Sequence, residues 1–294
     1  MNFKKYIKFF GHVFSIAALF FIFNILKDNL DKVQQIHFTT HNYLLLIAIV
    51  FWGLIGYFLF AYTWLLQLKQ KYPRFSYILS LKIIATTQIS KYLPGNIGHL
   101  IGRFYLAKAH LRKRDIAYTL FIENILFVLS SCLVGSFYFI FYDITQLIKL
   151  NNLLLVITVI VAAIALVYFF LIYIINNIDL LSVELRTIIS LLLLFSLISL
   201  TGGISVYFIF KIISNDTNLT LLLCISSFSL SFLLGFIIPG APGGIGIREY
   251  SFTVLMSPFV DTIYAVQAII IFRFVSILTD LIFYLIGKKI KYEP

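Results

Sequence analysis

Apolar segments long enough to cross a lipid bilayer recur from one end of this 294-residue chain to the other. The hydrocarbon core of a bilayer takes about 20 residues of α-helix, and only helices or closed barrels satisfy every backbone polar group there. Charged residues make up 12% of the chain, about half their share in water-soluble domains. We therefore predict an all-α polytopic membrane protein. Its six continuous spans are expected at 9–26, 43–66, 117–142, 152–175, 188–210 and 262–287.

Two further apolar stretches, 77–110 and 219–257, are interrupted near their centres by KYLPGNIG and PGAPGGIG. Proline removes a backbone donor and glycine weakens a helix, so each stretch should break at its Pro-Gly segment. Each stretch is either two full spans or a re-entrant hairpin of two half-helices, and both options return the chain to its starting side. Our prediction is six transmembrane helices plus two broken re-entrant helical hairpins, in a single integral membrane domain over 1–294.

The distribution of positive charge indicates the orientation. With the N-terminus inside, the cytoplasmic segments hold 14 of the 23 lysines and arginines, and the outside loops hold 4. This bias follows the positive-inside rule, so both termini are expected in the cytoplasm of a bacterial or archaeal cell, in a multi-pass inner-membrane protein. Basic residues at span ends meet anionic lipid headgroups, so the net charge of +11 does not indicate a nucleic-acid partner.

The two Pro-Gly segments suggest an internal repeat. PGNIG begins at Pro94 and PGGIG at Pro242, 148 residues apart, which is close to half of the chain. Each half, about 1–147 and 148–294, contains two spans, a broken stretch and a further span, and the halves begin on opposite sides of the membrane. Inverted repeats with interrupted helices at matching positions are typical of secondary transporters, whose binding site lies where the breaks meet.

The broken stretches also carry most of the intramembrane polar residues. A charged side chain at the bilayer centre costs about 2.5–3.5 kcal/mol on insertion scales, so several together indicate ion pairs or a wet cavity. The helix after each Pro-Gly segment offers free N–H groups, and Arg103 and Arg248 add donors suited to a phosphate. The predicted ligand-binding residues are Lys91, Pro94, Gly95, Asn96, Gly98, Arg103, Glu123, Pro242, Gly243, Gly244, Gly246, Arg248, Glu249 and Arg273.

Structural roles are the alternative for several of these residues. Arg103 and Arg248 could extend to the membrane interface or pair with carboxylates only to hold the fold. Glu123 is either the counter-ion of Arg103 or a proton carrier. Arg273 and Asp280 lie two turns apart on one face of the last span, where a structural pair is as reasonable as a ligand contact.

Enzyme signals in the sequence are weak. His110 and Asp115 have the H-x4-D spacing of glycerolipid acyltransferases, but they lie in a basic loop without the glycine-rich companion segment of those enzymes. His37 and His41 are four residues apart and lack an acidic or third ligand nearby for zinc. We expect a protein that is not an enzyme and has no cofactor or metal; a membrane transferase using Glu123 or His110 is the weaker alternative.

Three features together resemble a known family. They are the P-G-x-x-G segment followed by Arg103, the PGGIGIRE segment from Pro242 to Glu249, and Arg273 with Asp280 in the last span. The chain resembles the lysylphosphatidylglycerol synthase transmembrane region, the flippase-like domain of multiple peptide resistance factor proteins, over essentially its whole length. Glu123-Asn124 stands where the family usually has Glu-Arg, so the resemblance does not imply a phosphate contact from an arginine at that position. The aminoacyl-transferase domain of full-length members has no counterpart here, so the resemblance implies lipid translocation or binding rather than aminoacylation.

The predicted function is that of a lipid flippase or transporter of the cell envelope. It would bind an anionic phospholipid or polyprenyl-linked headgroup at two opposed hairpins. The alternative is a non-transporting membrane partner that binds a lipid-linked sugar and presents it to a separate glycosyltransferase or other envelope-synthesis enzyme.

Overall fold

The computed structural model describes residues 39–92, 97–140, 184–214, 219–238, 244 and 246–291, and all regular structure among them is helical. Two short 3₁₀ helices span Ile89–Tyr92 and Phe137–Ile140. The α-helices are α1 (Thr40–Lys69), α2 (Tyr77–Gln88), α3 (Gly98–Ala107), α4 (Lys113–Ser136), α5 (Leu185–Ile213), α6 (Leu221–Ile237), α7 (Ile247–Met256) and α8 (Thr262–Lys289).

Four of these helices are long and apolar enough to cross a membrane, at Thr40–Lys69, Lys113–Phe139, Arg186–Ile213 and Thr262–Lys289. They confirm the spans predicted at 43–66, 117–142, 188–210 and 262–287. The spans predicted at 9–26 and 152–175 lie outside the described residues. The ends of α1 and α8 follow helix chemistry, since the side chains of Thr39 and Asp261 cap their first turns and lysines occupy their last turns.

Both predicted interruptions are present. The first stretch is helical to Gln88, tightens into the 3₁₀ helix and resumes as α3 at Gly98. The second stretch is helical to Ile237 and resumes as α7 at Ile247. Proline follows soon after each first helix, and a proline disfavours helical backbone in the residue before it. The residues Pro94, Gly95, Asn96, Pro242 and Gly243 lie outside the described part of the chain.

The principal helix contacts occur in matched sets. α1 packs against α5. The other principal contacts between α-helices form six matched sets: α1–α2 corresponds to α5–α6, α2–α3 to α6–α7, α3–α4 to α7–α8, α1–α8 to α5–α4, α2–α8 to α6–α4, and α1–α4 to α5–α8. The pattern of contacts is therefore unchanged when α1, α2, α3 and α4 are exchanged with α5, α6, α7 and α8. An arrangement of this kind is what two similarly folded halves would produce.

Glycines let the central helices approach closely. A Cβ on Gly203 of α5 would collide with the backbone of Ile225 in α6, and a Cβ on Gly56 of α1 would lie 2.9 Å from Oγ1 of Thr201 in α5. Small residues at helix contacts are a common device in membrane proteins, where packing replaces the hydrophobic effect as the force between helices.

Candidate functional site

A cavity of about 250 Å³ is lined by residues from all eight helices. Pockets for small ligands are typically somewhat larger, about 300–1,000 Å³, so this space suits a headgroup rather than a whole lipid. Nine of the residues predicted to bind ligand are described, and seven of them line the cavity. These are Lys91, Arg103, Glu123, Gly244, Arg248, Glu249 and Arg273. Gly98 and Gly246 are outside the lining and lie at the starts of α3 and α7.

Arg103 of α3 is the most deeply buried charge in this lining. Its side chain is 0% exposed, and Nη1 donates to Oε1 of Glu123 in α4 at 2.6 Å. Nη2 donates to Oε1 of Gln88 at 2.9 Å, and the guanidinium lies over the ring of Phe60, 4.7 Å from its centroid. Of the alternatives that the sequence left open, extension of Arg103 to the membrane interface is excluded. Glu123 is its counter-ion.

Polar atoms of this ion pair and of the neighbouring His99 lack a hydrogen-bond partner among the described residues. Within the described residues, Nε of Arg103, Oε2 of Glu123 and Nδ1 of His99 are buried and have no hydrogen-bond partner. His99 and Arg103 are four residues apart on α3, so they share one helix face, and both line the cavity. Buried polar groups are normally paired, and unpaired ones in a cavity are where a ligand, a water or a proton binds.

Arg248 of α7 has a different environment. Its guanidinium lies 4.0 Å from the ring centroid of Phe232, 5.2 Å from that of Phe228 and 5.9 Å from that of Phe272. A guanidinium stacks well on aromatic faces, and these three rings hold the plane of the Arg248 guanidinium in place. The aliphatic part of Arg248 packs on Gly235, where a Cβ would come within 3.3 Å of its Cγ.

The start of α7 is organised by Glu249. One carboxylate oxygen, Oε2, accepts from the backbone N–H of Gly246 at 2.6 Å, and the other, Oε1, pairs with Arg273 of α8. This corrects the prediction of free N–H groups at this helix start, because a glutamate in the first turn occupies one of them. Gly244 and Gly246 have φ angles of 72° and 84°, which glycine adopts without strain.

A third ion pair joins the end of the first broken stretch to α8. Nζ of Lys91 lies 2.7 Å from Oδ2 of Asp280, and it also donates to the hydroxyl of Tyr57 at 3.0 Å; that hydroxyl donates to Asp280. Arg273 and Asp280, which the sequence left open as a structural pair, thus each form an ion pair with a residue of another segment. Seven residues of helix separate their Cα atoms by about 10.5 Å, and each finds a closer partner on another segment.

The described cavity groups carry an excess of positive charge. Lys91, Arg103, Arg248 and Arg273 supply four cations to the lining, against the two carboxylates of Glu123 and Glu249. Asp280 pairs with Lys91 from outside the lining. An oxyanion satisfies such donors better than water does, because both partners are then charged.

Sequence reasoning missed part of this lining. Gln88 and His99 were visible as polar residues of the first broken stretch without an assigned role. Tyr57 and the three rings around Arg248 carried no signal, because aromatic residues are common throughout this chain and only tertiary contacts distinguish these four.

The residues with the acyltransferase-like H-x4-D spacing, His110 and Asp115, lie away from the cavity lining. Asp115 lies at the start of α4, where it pairs with Lys71 at 2.7 Å and accepts a hydrogen bond from Tyr72. Neither Asp115 nor His110 is part of the cavity lining. Tyr72 lies in the loop after α1, and burial together with this hydrogen bond raises the pKa of its hydroxyl above the ordinary 10.0.

Comparison with known proteins agrees with the resemblance seen in the sequence. The family model described as the lysylphosphatidylglycerol synthase TM region matches residues 9–283. A comparison with curated proteins gives no match. Because the family model covers nearly the whole chain, including every helix that contributes to the cavity, the protein belongs to the lysylphosphatidylglycerol synthase transmembrane-region family.

Proposed function

We propose that the protein binds the anionic headgroup of a membrane lipid in this cavity and moves the lipid between leaflets. The observation that carries the proposal is the concentration of four cations, two of them on the helices that follow the breaks, around one headgroup-sized cavity. A phosphate oxygen would bind Arg103 and Arg248, while the acyl or prenyl chains stay in the bilayer. A phospholipid and a polyprenyl-linked lipid share this phosphate chemistry.

The lengths of three of the four helices in the broken stretches support re-entrant hairpins. At 1.5 Å per residue, α2, α3 and α7 have 12, 10 and 10 residues and are about 18, 15 and 15 Å long. The hydrocarbon core is about 30 Å thick, so none of these helices can cross it alone. The hypothesis is that the two hairpins enter from opposite faces and that their tips meet near the midplane.

The matched helix contacts support the inverted repeat. If the two halves are related in this way, rocking of one half against the other exposes the cavity to each leaflet in turn. The exposed basic residues Lys69, Lys71, Lys108 and Arg112 lie at the α1 end and the α3–α4 turn, as expected for a cytoplasmic face of the inner membrane. No covalent step is part of the proposal.

Reconstitution tests binding and transport separately. In vesicles of phosphatidylcholine with traces of a fluorescent phosphatidylglycerol, the purified protein should accelerate exchange of the label between leaflets. Arg248→Ala and Arg103→Ala should weaken headgroup binding about 10- to 100-fold, because a hydrogen bond to a charged group contributes about 1.5–3 kcal/mol. The control is Arg186→Ala, which removes an exposed arginine at the start of α5 and should leave both activities unchanged.

The outcomes distinguish the alternatives. Binding and exchange that survive both cavity variants would refute the site. Binding without any exchange would favour a non-transporting partner that presents a lipid-linked sugar to an envelope-synthesis enzyme, and stable co-purification with such an enzyme would support that reading. A change in the mass of the recovered lipid would indicate a transferase.

A further inference from the structure

We propose that this protein couples lipid binding to protonation: Glu123 takes up one proton when a phosphate oxygen binds Arg103, so that the anion and the proton cross together. The inference rests on the proposed function, because it concerns the same cavity. It addresses the driving force of lipid transport, which recognition of the headgroup does not determine.

The first step is the isolation of the Arg103–Glu123 pair. The two side chains are 0% and 4% exposed, so water contributes little to the stability of either charge. Within the described residues, Arg103 is the only group that forms an ion pair with Glu123. A buried carboxylate that loses its cation is left with an uncompensated charge, which is strongly unfavourable.

The second step is the competition that a ligand introduces. Arg103 already uses Nη1 for Glu123 and Nη2 for Gln88. An oxyanion that reaches this guanidinium either displaces Glu123 or adds a second negative group beside it. In both cases one buried cation faces two anions, and a proton on Glu123 removes the conflict.

The third step is the difference between Glu123 and the other carboxylates. Glu249 keeps a bond from the Gly246 N–H when a ligand engages Arg273. Asp280 likewise keeps the bond from the Tyr57 hydroxyl when a ligand engages Lys91. Glu123 has no such second donor, because its Oε2 is the buried oxygen without a partner. A proton on Oε2 converts it from an acceptor that repels phosphate into a donor.

Apart from His99 and Tyr57, the remaining titratable side chains of the cavity lining are either cationic or paired with a cationic side chain. His99 shares the face of α3 with Arg103 and is the rival site for the proton, because its Nδ1 is also without a partner. The lining contributed by α5 and α6 contains no titratable side chain. The titratable groups that face Glu123 across the cavity, besides Tyr57 of α1, are Lys91, His99, Arg103, Arg248, Glu249 and Arg273.

The charge balance supports coupling. Binding a singly charged phosphodiester adds one negative charge, and protonation of Glu123 adds one positive charge. The net charge of the cavity is thus the same in the empty and loaded states. The proton enters with the ligand from the open side and leaves from Oε2 when the ligand departs, which lets Arg103 and Glu123 pair again.

The test measures affinity as a function of pH. The probe is short-chain phosphatidylglycerol, a phosphodiester that keeps one negative charge from about pH 5 to about pH 9, so a proton taken up on binding goes to the protein. Over the pH range in which Glu123 is protonated in the complex and ionised in the free protein, the affinity of the wild type should fall about tenfold per pH unit, as expected for one linked proton. Glu123→Gln imitates the neutral carboxyl and should bind with an affinity independent of pH.

Two controls accompany this variant. Asp115→Asn removes a different buried carboxylate of α4, which pairs with Lys71 and lies outside the cavity lining. This variant should keep the wild-type pH dependence. His99→Gln should also keep it. Calorimetry of the wild type in two buffers of different ionisation enthalpy counts the protons directly and does not depend on the folding of any variant; the expected value is close to one.

Each result decides the matter. Binding that is independent of pH, with no proton taken up, overturns the coupling and leaves the proposed function standing. A pH dependence that persists in Glu123→Gln and disappears in His99→Gln overturns the assignment to Glu123. No binding at any pH contradicts the proposed function, and the coupling with it.

Discussion

The buried pair of Arg103 and Glu123 leads to a quantitative prediction about stability. In Arg103→Met the guanidinium is lost, and Glu123 keeps a buried carboxylate without a cation. Breaking a buried ion pair from one side costs about 3–5 kcal/mol. Solvent screening reduces this value little, because neither side chain is more than 4% exposed.

The double variant Arg103→Met/Glu123→Leu should behave differently. Replacing both partners of a buried pair by apolar side chains of similar volume is neutral or stabilising by about 1–4 kcal/mol. The double variant should therefore be at least as stable as the wild type, although on the proposed function it should bind the headgroup more weakly. Such a result would show that the pair is kept for its function and not for its contribution to folding.

Equilibrium unfolding in detergent micelles, followed by circular dichroism, measures these free energies. Lys71→Met is the matched comparison, because it also removes the cation of a carboxylate on α4. Its cost should be smaller, since Lys71 is 31% exposed and Asp115 keeps its bond from Tyr72. If Arg103→Met costs less than about 1 kcal/mol, the reasoning is refuted, because Glu123 then bears no buried charge that depends on Arg103.

Two further predictions concern packing and pH. Gly203→Ala should destabilise the protein by about 1–3 kcal/mol, because the new methyl group overpacks the contact with the Ile225 backbone; a melting temperature equal to that of the wild type would contradict the close approach of α5 and α6. Folding raises the pKa of Tyr72, so its contribution to stability is present below the ordinary value of 10.0 and is lost as the pH rises through the higher value of the folded state. Tyr72→Phe should abolish that part of the alkaline loss, and unfolding free energies of both proteins at several alkaline pH values measure it.

The sequence alone was sufficient for the class of fold and for the positions of the breaks. A run of about 20 apolar residues is long enough to cross a bilayer as one α-helix, so α1, α4, α5 and α8 were predictable from hydrophobicity. Proline and glycine act on the backbone locally, so the ends of α2 and α6 were also predictable. The concentration of charge in the broken stretches indicated the region in which the structure places the charged cavity, because a charge in a membrane segment is energetically costly.

Only the tertiary structure decided how those charges are paired. Arg273 and Asp280 share one helix face, yet Arg273 binds Glu249 on α7 and Asp280 binds Lys91 after α2. The rings around Arg248 come from α6 and α8 and cannot be selected from a chain rich in phenylalanine. Helix formation depends on neighbours within four residues, whereas ion pairs and stacked rings depend on which helices pack together. For that reason the sequence located the cluster of charged residues, and the packing determined which of their oxygens and nitrogens are paired with one another.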